Sequence, residues 1–200
     1  MSHELKVYSH VLGKTVDELL DMNGVLCDDA QYLLELLNRD YKNQAIRRSF
    51  VRACWAYIEA TVHGVKETTL CASTLGSVDL PTKDHIFLYG GTFLVSLDGS
   101  TVFKLLRCDT EKTIKHTLRI AAECFDVGWS PDFTHKGWRM LRMSLQLRHR
   151  LVHPQSVAKL DVSDQEADEH QEAFIWFSKL YTNLINDIHN RFVPVTDKSK

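Results

Sequence analysis

The chain has 200 residues, of which 44% are hydrophobic, and this is enough for one compact domain with a hydrophobic core. With 25% charged residues and a formal net charge of -2, the chain is neither a disordered acidic tail nor a uniformly basic nucleic-acid binder. Any nucleic-acid site must therefore be a local basic patch.

Cysteine usage and hydropathy indicate the compartment. The five cysteines are widely spaced and form no Cys-x-x-Cys pair, which argues for a reducing compartment and against a disulfide framework or a structural zinc site. No apolar run approaches the roughly 18 residues of a membrane span, and the N-terminal residues lack the apolar segment of a signal peptide. We therefore expect a cytoplasmic protein without membrane association, forming a single domain over residues 1–200 with a flexible tail at 196–200.

Helical periodicity dominates the chain and predicts a mainly α fold, a bundle of about five helices. The helices are expected to begin near residue 27, to span 43–71, to follow 109–111 as far as 128, to span 134–152, and to begin again at 163–166. Asp109 is suited to cap the third helix, and Pro154 ends the fourth. Ser163 and Glu166 form the capping box of the last one.

Between the second and third helices the periodicity changes to two. The segments 92–97 and 101–105 flank Asp98-Gly99, a pair that readily adopts the two positive φ values of a type I′ turn. We predict a β-hairpin around residues 92–106, within an insertion of loop and hairpin over 72–108. A lone hairpin is only marginally stable, so we expect this one to serve packing or partner binding.

Arg148 breaks the amphipathic pattern of the fourth helix. At about 100° per residue it falls inside the apolar sector, beside Ser144 and between the rows of Leu141 and Leu151. A guanidinium does not lose its proton, so an arginine on the buried side needs a carboxylate, a phosphate or other acceptors. One interpretation is a structural salt bridge or an arginine that extends its head to water. The other is a functional cation.

His153 lies at the end of the same helix, immediately before Pro154. A residue that precedes proline is disfavoured in the α region, so His153 should be at the C-terminal end, where unpaired carbonyls favour positive charge. Histidine is also the side chain that exchanges a proton most readily near neutral pH. A plain C-terminal cap is the alternative, and the pair of Arg148 and His153 is more informative than either residue alone.

The second helix offers a matching polar stripe that contains Arg48, Arg52, Glu59 and His63. Such a stripe can be an ordinary solvated face. Alternatively it faces Arg148, with Glu59 as the carboxylate partner that fixes the guanidinium. Arg48 and Arg52 would then extend a phosphate-binding patch.

These residues resemble the HEPN superfamily. Arg148-x4-His153, with a polar residue after the arginine and a proline after the histidine, resembles its R-x4-6-H motif. The segments RACWAYIEA (52–60) and WRMLRMSLQLRHRLVHP (138–154) resemble its early helix and its motif helix, and 160–164 resembles the start of its closing helix. The resemblance spans about residues 44–190. The residue after the arginine is often asparagine in this superfamily and is His149 here, which affects substrate positioning more than the assignment.

The resemblance implies a helical bundle that forms a homodimer, with the two motifs facing one another across a cleft. It also implies a metal-independent endoribonuclease without a cofactor, cleaving RNA to 2′,3′-cyclic phosphate and 5′-hydroxyl ends. His153 would exchange the proton and Arg148 would stabilise charge on the phosphate. His149, Arg150 and the arginines of the second helix would hold the RNA backbone. A toxin or defence role, with a regulatory or antitoxin protein as partner, is the expected context.

Two alternatives stay open. The first is a non-catalytic member of the same fold that acts as an interaction or nucleotide-binding module, which the near-neutral charge favours because enzymes acting on RNA often carry a stronger basic face. The second is metal binding by His149 and His153, one helical turn apart. It is disfavoured because the glutamate of His-Glu-x-x-His is missing and Pro154 disturbs the helix end.

Overall fold

A computed structural model describes residues 3–192, with side chains described for 12–190. These residues form six α-helices: α1 (His3–Arg39), α2 (Gln44–Thr74), α3 (Thr82–Tyr89), α4 (Thr110–Cys124), α5 (Lys136–Val152) and α6 (Asp164–Phe192). Strands β1 (Gly91–Val95) and β2 (Thr101–Leu105) form one antiparallel sheet, and Val157–Leu160 is a 3₁₀ turn. The expected fold class, mainly α with a helical bundle and a small β-hairpin, is confirmed. The expected tail at 196–200 lies outside the described residues.

The described residues divide into two compact units. The first comprises 3–16, Val62–Pro131 and 188–192, and the second comprises Asp17–Thr61 and Asp132–Asp187. The second unit contains Arg148, His153 and every residue that the sequence assigns to their site. The single domain over 1–200 stays a prediction. Within the described part of the chain, no helix combines the length and apolar character needed to cross a membrane.

The expected start of the first helix near Cys27 was wrong, because α1 begins at His3. Two features explain why the sequence pattern does not reveal the first half of α1. Gly13 and Gly24 each lower helix propensity by about 1 kcal/mol relative to alanine. Asn23 interrupts the apolar stripe, yet it is buried, donating to the Tyr181 hydroxyl at 2.6 Å and accepting from the Thr61 hydroxyl at 3.2 Å. A satisfied polar residue can occupy a core position that periodicity assigns to an apolar one.

The segment expected to be loop and hairpin also contains a helix, α3. It begins after Pro81, and its C-cap Gly90 adopts a left-handed φ of 79°, with its N–H directed to the carbonyls of Ile86 and Phe87. Proline before a helix and glycine after it are standard boundary signals. With only eight residues, however, α3 is too short for its periodicity to stand out.

The hairpin is confirmed, but its turn differs from the expected type I′. Val95 pairs with Thr101, and the N–H of Gly99 donates to the carbonyl of Ser96 at 2.9 Å. Only Gly99, at φ 80°, has a positive φ in this turn. The loop is therefore a three-residue connection with glycine in the left-handed position. Asp98 instead accepts hydrogen bonds from the backbone N–H and hydroxyl of Ser100.

Two predicted helix starts are confirmed, whereas the expected extent of the third helix to residue 128 was wrong, because Phe125 is the C-cap of α4. Asp109 caps α4 by accepting from the N–H of Lys112 at 2.8 Å. Before α6, the Ser163 hydroxyl accepts from the N–H of Glu166 at 3.2 Å, and the Glu166 carboxylate accepts from the N–H of Ser163 at 2.9 Å. This reciprocal pair is the capping box.

A close approach fixes the start of α5. Gly137 lies in its first turn, and a Cβ placed there would overlap the ring of Trp176 on α6. The imidazole of His135 stacks on the same ring at 5.9 Å between centroids and accepts from the N–H of Gly137 at 2.9 Å. Glycine is therefore required here by space and not by backbone conformation.

We expect Gly137→Ala to destabilise the protein by about 1–3 kcal/mol, because Trp176 must move to admit the methyl group. Gly24→Ala is the matched control: Gly24 is an exposed helical position with nothing within 4 Å of an added Cβ, and the change should stabilise by about 0.5–1 kcal/mol. Urea unfolding measures both. Equal effects of the two changes would contradict the packing described for Trp176.

Candidate functional site

The α2 and α5 helices bring together the two residues for which the sequence predicts an ion pair. An amine nitrogen of the Arg148 guanidinium lies 2.8 Å from Oε1 of Glu59. The Arg148 side chain is 25% exposed and that of Glu59 is 44% exposed. The expected contact is thus confirmed. The arginine is half-buried, and its charge is paired with the Glu59 carboxylate.

A buried hydrogen bond joins the same two helices. The indole N–H of Trp55 on α2 donates to the Ser144 hydroxyl on α5 at 2.8 Å. Glu59 follows Trp55 by four residues, and Arg148 follows Ser144 by four. Because residues four apart share one face of a helix, Glu59 lies on the face of α2 that carries Trp55, and Arg148 lies on the face of α5 that carries Ser144.

His170 on α6 completes this contact, and sequence reasoning missed it. Its Nδ1 lies 2.6 Å from the Ser144 hydroxyl, and its side chain is fully buried. Burial lowers the pKa of His170 to about 3, since an imidazolium would lose its water, and the nearby carbonyl of Phe50 offsets part of this effect. The neutral ring accepts the hydroxyl hydrogen of Ser144. The available signal was its spacing from Phe174 and Phe177, which places it on the apolar stripe of α6.

His153 is the C-cap of α5, as expected from Pro154. Its backbone N–H donates to the carbonyl of His149 at 3.0 Å, and its φ and ψ of -122° and 61° lie outside the helical region. The side chain is exposed. At a rise of 1.5 Å per residue, Arg148 precedes it by about 7.5 Å along the helix axis. The imidazole is therefore exposed to solvent at the C-terminal end of α5, the end that also carries Arg148.

Two of the expected supporting arginines are used within the protein. Arg150 donates to the carbonyl of Asp161 at 2.8 Å and to the Glu166 carboxylate at 2.6 Å. Arg48 donates to the carbonyl of Leu160 at 3.3 Å. Both join their helices to the segment that precedes α6. These contacts indicate scaffolding, and leave Arg52 and His149, whose side chains are exposed, as the accessible members of the expected set.

The most buried cation of this unit is Arg47, which the sequence did not single out. It is 2% exposed, donates to the carbonyls of Tyr41 and Val162, and pairs with the Asp164 carboxylate. Hydrogen bonds from Lys42 and Arg47 lower the pKa of Asp164. Arg47 therefore anchors the start of α2 to the start of α6, while Arg148 is the more accessible of the two arginines.

The described residues also show a cavity in this unit and no metal-binding cluster. A cavity of about 230 Å³ lies beside the Arg150–Glu166 pair and reaches Ser144, but its lining includes neither Arg148 nor His153. Among the residues whose side chains are described, no group of three or more His, Cys, Asp or Glu is arranged to hold a metal ion. Arg148 and His153 lie outside this cavity, near the C-terminal end of α5.

Comparisons of the chain with protein-family models, with curated proteins and with solved structures found no match.

The buried His170 predicts how stability depends on pH. Its pKa is about 3 in the folded protein and close to its ordinary 6.5 in the unfolded chain. Below pH 6.5 the unfolded chain therefore binds a proton that the folded protein excludes. As the pH is lowered from 6.5, this residue should reduce the free energy of unfolding by up to about 1.4 kcal/mol per pH unit, until the pH approaches 3.

Urea unfolding between pH 7.5 and 4.5 measures this slope. We expect His170→Leu, which keeps an apolar side chain at the buried position and removes the titrating group, to flatten it. His85→Leu changes an exposed histidine and should leave it as in the wild type. The same slope in wild type and His170→Leu would rule out the buried neutral imidazole.

Proposed function

We propose that the chain is a metal-independent endoribonuclease of the HEPN type that acts in the cytoplasm. One observation carries the proposal: Glu59 fixes Arg148 at 2.8 Å while a quarter of the arginine side chain stays exposed, on the helix that ends at the exposed His153. A permanent cation and a histidine at one helix end supply the two groups that phosphodiester transfer needs without a metal. The resemblance of Arg148-x4-His153 and its flanking segments to the superfamily motif supports the same activity.

In the proposed reaction the ribose 2′-oxygen attacks the adjacent phosphorus. Its proton leaves, the bond from phosphorus to the 5′-oxygen breaks, and the leaving oxygen gains a proton. His153 exchanges one of these protons, a contribution of about 10²–10⁴-fold. Arg148 stabilises the charge that builds on the phosphate oxygens. The products are a 2′,3′-cyclic phosphate and a 5′-hydroxyl end.

The exposed Arg52 and His149 are the residues we assign to holding the RNA backbone, and Arg48 and Arg150 act through the scaffold they stabilise. The histidine after Arg148, where asparagine is common in the superfamily, gives this site a further proton-bearing group beside the phosphate. We propose that the enzyme works as a homodimer with two such sites at the interface. A toxin or defence role, under control of a regulatory or antitoxin protein, is the proposed context.

The second candidate is a non-catalytic module of the same fold that binds a nucleotide or a partner. The net charge of -2 and the carboxylate already paired with Arg148 favour it, because both weaken the attraction of a polyanion. The two candidates differ in one property: a module binds RNA or nucleotide without changing it, whereas the enzyme cleaves RNA in EDTA.

Replacing both proposed catalytic groups should abolish cleavage. We expect the purified wild type to cut total RNA in EDTA, and the Arg148→Ala, His153→Ala double variant to lose at least about 100-fold in rate. Arg139→Ala and His85→Ala, which remove an exposed arginine of α5 and an exposed histidine of the other unit, should cut like the wild type. The readout is the rate of RNA loss on a denaturing gel.

Equal cleavage by wild type and double variant would reveal a contaminating nuclease and overturn the proposal. Absence of cleavage by all of them, with RNA still bound, would favour the non-catalytic module.

Glu59 is proposed as a positioning residue that acts through Arg148. Glu59→Gln keeps the shape but removes the charge, so we expect about a tenfold loss of cleavage rate and retention of the fold. In the Arg148→Ala background the same change should cost nothing more, because no guanidinium is left to position. Additive losses in the double variant would show that Glu59 acts independently of Arg148.

A further inference from the structure

The cavity beside the Arg150–Glu166 pair has a size and a lining that suit one small ligand. Its volume is about 230 Å³, below the roughly 300–1,000 Å³ of pockets that hold drug-sized molecules. All of its lining residues belong to the second unit and lie on α5 and α6. Met143 and Leu147 supply the apolar part of the wall, and Met143 is 39% exposed. A methionine thioether makes favourable contacts with aromatic rings.

Most polar groups of this wall are already paired within the protein. Arg150 donates to the carbonyl of Asp161 and to one oxygen of Glu166. The other oxygen of Glu166 accepts from the N–H and the hydroxyl of Ser163. The Ser144 hydroxyl is used in the buried contact described above. These three lining residues shape the cavity and have little hydrogen-bonding capacity left for a ligand.

Two polar side chains of the wall keep unused hydrogen-bonding capacity. Oε1 of Glu169 accepts from the amide of Gln165 at 2.9 Å, whereas its Oε2 has no partner among the residues whose side chains are described. The exposed Gln146 makes no side-chain hydrogen bond within the same part of the chain. A carboxylate only accepts hydrogen bonds, and a carboxamide also donates them. The cavity therefore offers an acceptor on α6 and a donor on α5.

The charges of the wall disfavour an anion. Glu166 and Glu169 contribute two carboxylates against the single guanidinium of Arg150, which already pairs with Glu166. An ammonium ion would be attracted to Glu169 but would gain nothing from the apolar wall. A planar group with N–H donors on its edge uses both the carboxylate and the apolar surface. RNA, the proposed substrate, supplies such groups as its bases.

Among the RNA bases, guanine matches the two unused side chains best. Its Watson–Crick edge carries the N1–H and the N2 amino group side by side, followed by the O6 oxygen. The Glu169 carboxylate can accept from both N–H groups at once, as it does from the forked donors of an arginine. The Gln146 amide can donate to O6. No other RNA base places two adjacent N–H donors beside a carbonyl oxygen.

The cavity lies on the side of α5 that leads to His153. Gln146 and Arg150 are four residues apart and His153 follows three residues later, so the three positions lie along one side of the helix. From Gln146 to His153 the helix axis rises by about 10.5 Å. A base bound at Gln146 can therefore extend its own ribose and 3′-phosphate along this side towards His153.

We infer that the cavity binds the guanine base of the nucleotide whose 2′-hydroxyl attacks, with Glu169 accepting from N1–H and N2–H and Gln146 donating to O6. The consequence for the cleavage site rests on the proposed ribonuclease function. The binding of guanine does not, because it can be measured on single nucleotides that are not cleaved.

Isothermal titration calorimetry of the full chain with the four nucleoside 3′-monophosphates tests the base preference, because all four carry the same phosphate. We expect guanosine 3′-monophosphate to bind at least about tenfold more tightly than the other three. Glu169→Gln should remove this preference, since an N–H donor then replaces one carboxylate oxygen. Glu172→Gln is the matched control and should bind like the wild type. Glu172 is exposed on the same helix, pairs with Lys136 and is not part of the cavity wall.

Equal or undetectable binding of the four nucleotides by the wild type would overturn the inference. So would tighter binding of another base, or the same loss in Glu169→Gln and Glu172→Gln. Far-ultraviolet circular dichroism of both variants confirms that the loss is read on folded protein.

The two proposals can fail separately. Guanine-selective binding that only Glu169→Gln removes supports the pocket even if no RNA is cut, and the ribonuclease proposal alone then fails. If RNA is cut, the new 3′ ends should carry guanosine 2′,3′-cyclic phosphate. Cleavage without a base preference would overturn the placement of the pocket beside the attacking ribose.

Discussion

The hydrogen bonds from Trp55 to Ser144 and from Ser144 to His170 are the constraint on which the candidate site depends. They join α2, α5 and α6 where all three side chains are buried. A buried hydroxyl leaves little freedom, because a helix that rotated or slid would leave polar groups without partners at a cost of about 1–3 kcal/mol each. The ion pair of Glu59 with Arg148 joins the same faces of α2 and α5 as this buried contact.

The arginines of this unit differ in their burial and in their partners. Arg47 is buried and serves the scaffold, and Arg150 joins α5 to Glu166. Arg148 pairs with Glu59 of α2 and keeps 25% of its side chain exposed, and Arg150, paired with Glu166 of α6, keeps 24%. A guanidinium held in this way loses little conformational entropy when it binds a phosphate.

Much of this could be predicted from the sequence, since periodicity and capping are local signals. Spacing on a helix face and local caps predict helices α2, α4, α5 and α6, the capping box at Ser163 and the contact of Arg148 with Glu59. The rest depended on tertiary partners. Asn23 and His170 are polar residues at core positions, satisfied by Tyr181 and Ser144 at long sequence separation. Arg150 and Arg48 likewise donate to backbone carbonyls of the segment before α6. A helical wheel cannot show these partners, because it represents the residues of one helix only.

The chemical identity of the RNA ends tests the central claim most directly. In the proposed reaction the attacking group is the neighbouring 2′-hydroxyl and not water, and the two possibilities leave different RNA ends. Mass spectrometry of a short RNA cleaved in EDTA should show 2′,3′-cyclic phosphate and 5′-hydroxyl ends, in the wild type and not in the variant that lacks both residues. Fragments with 3′-hydroxyl and 5′-phosphate ends would contradict the account.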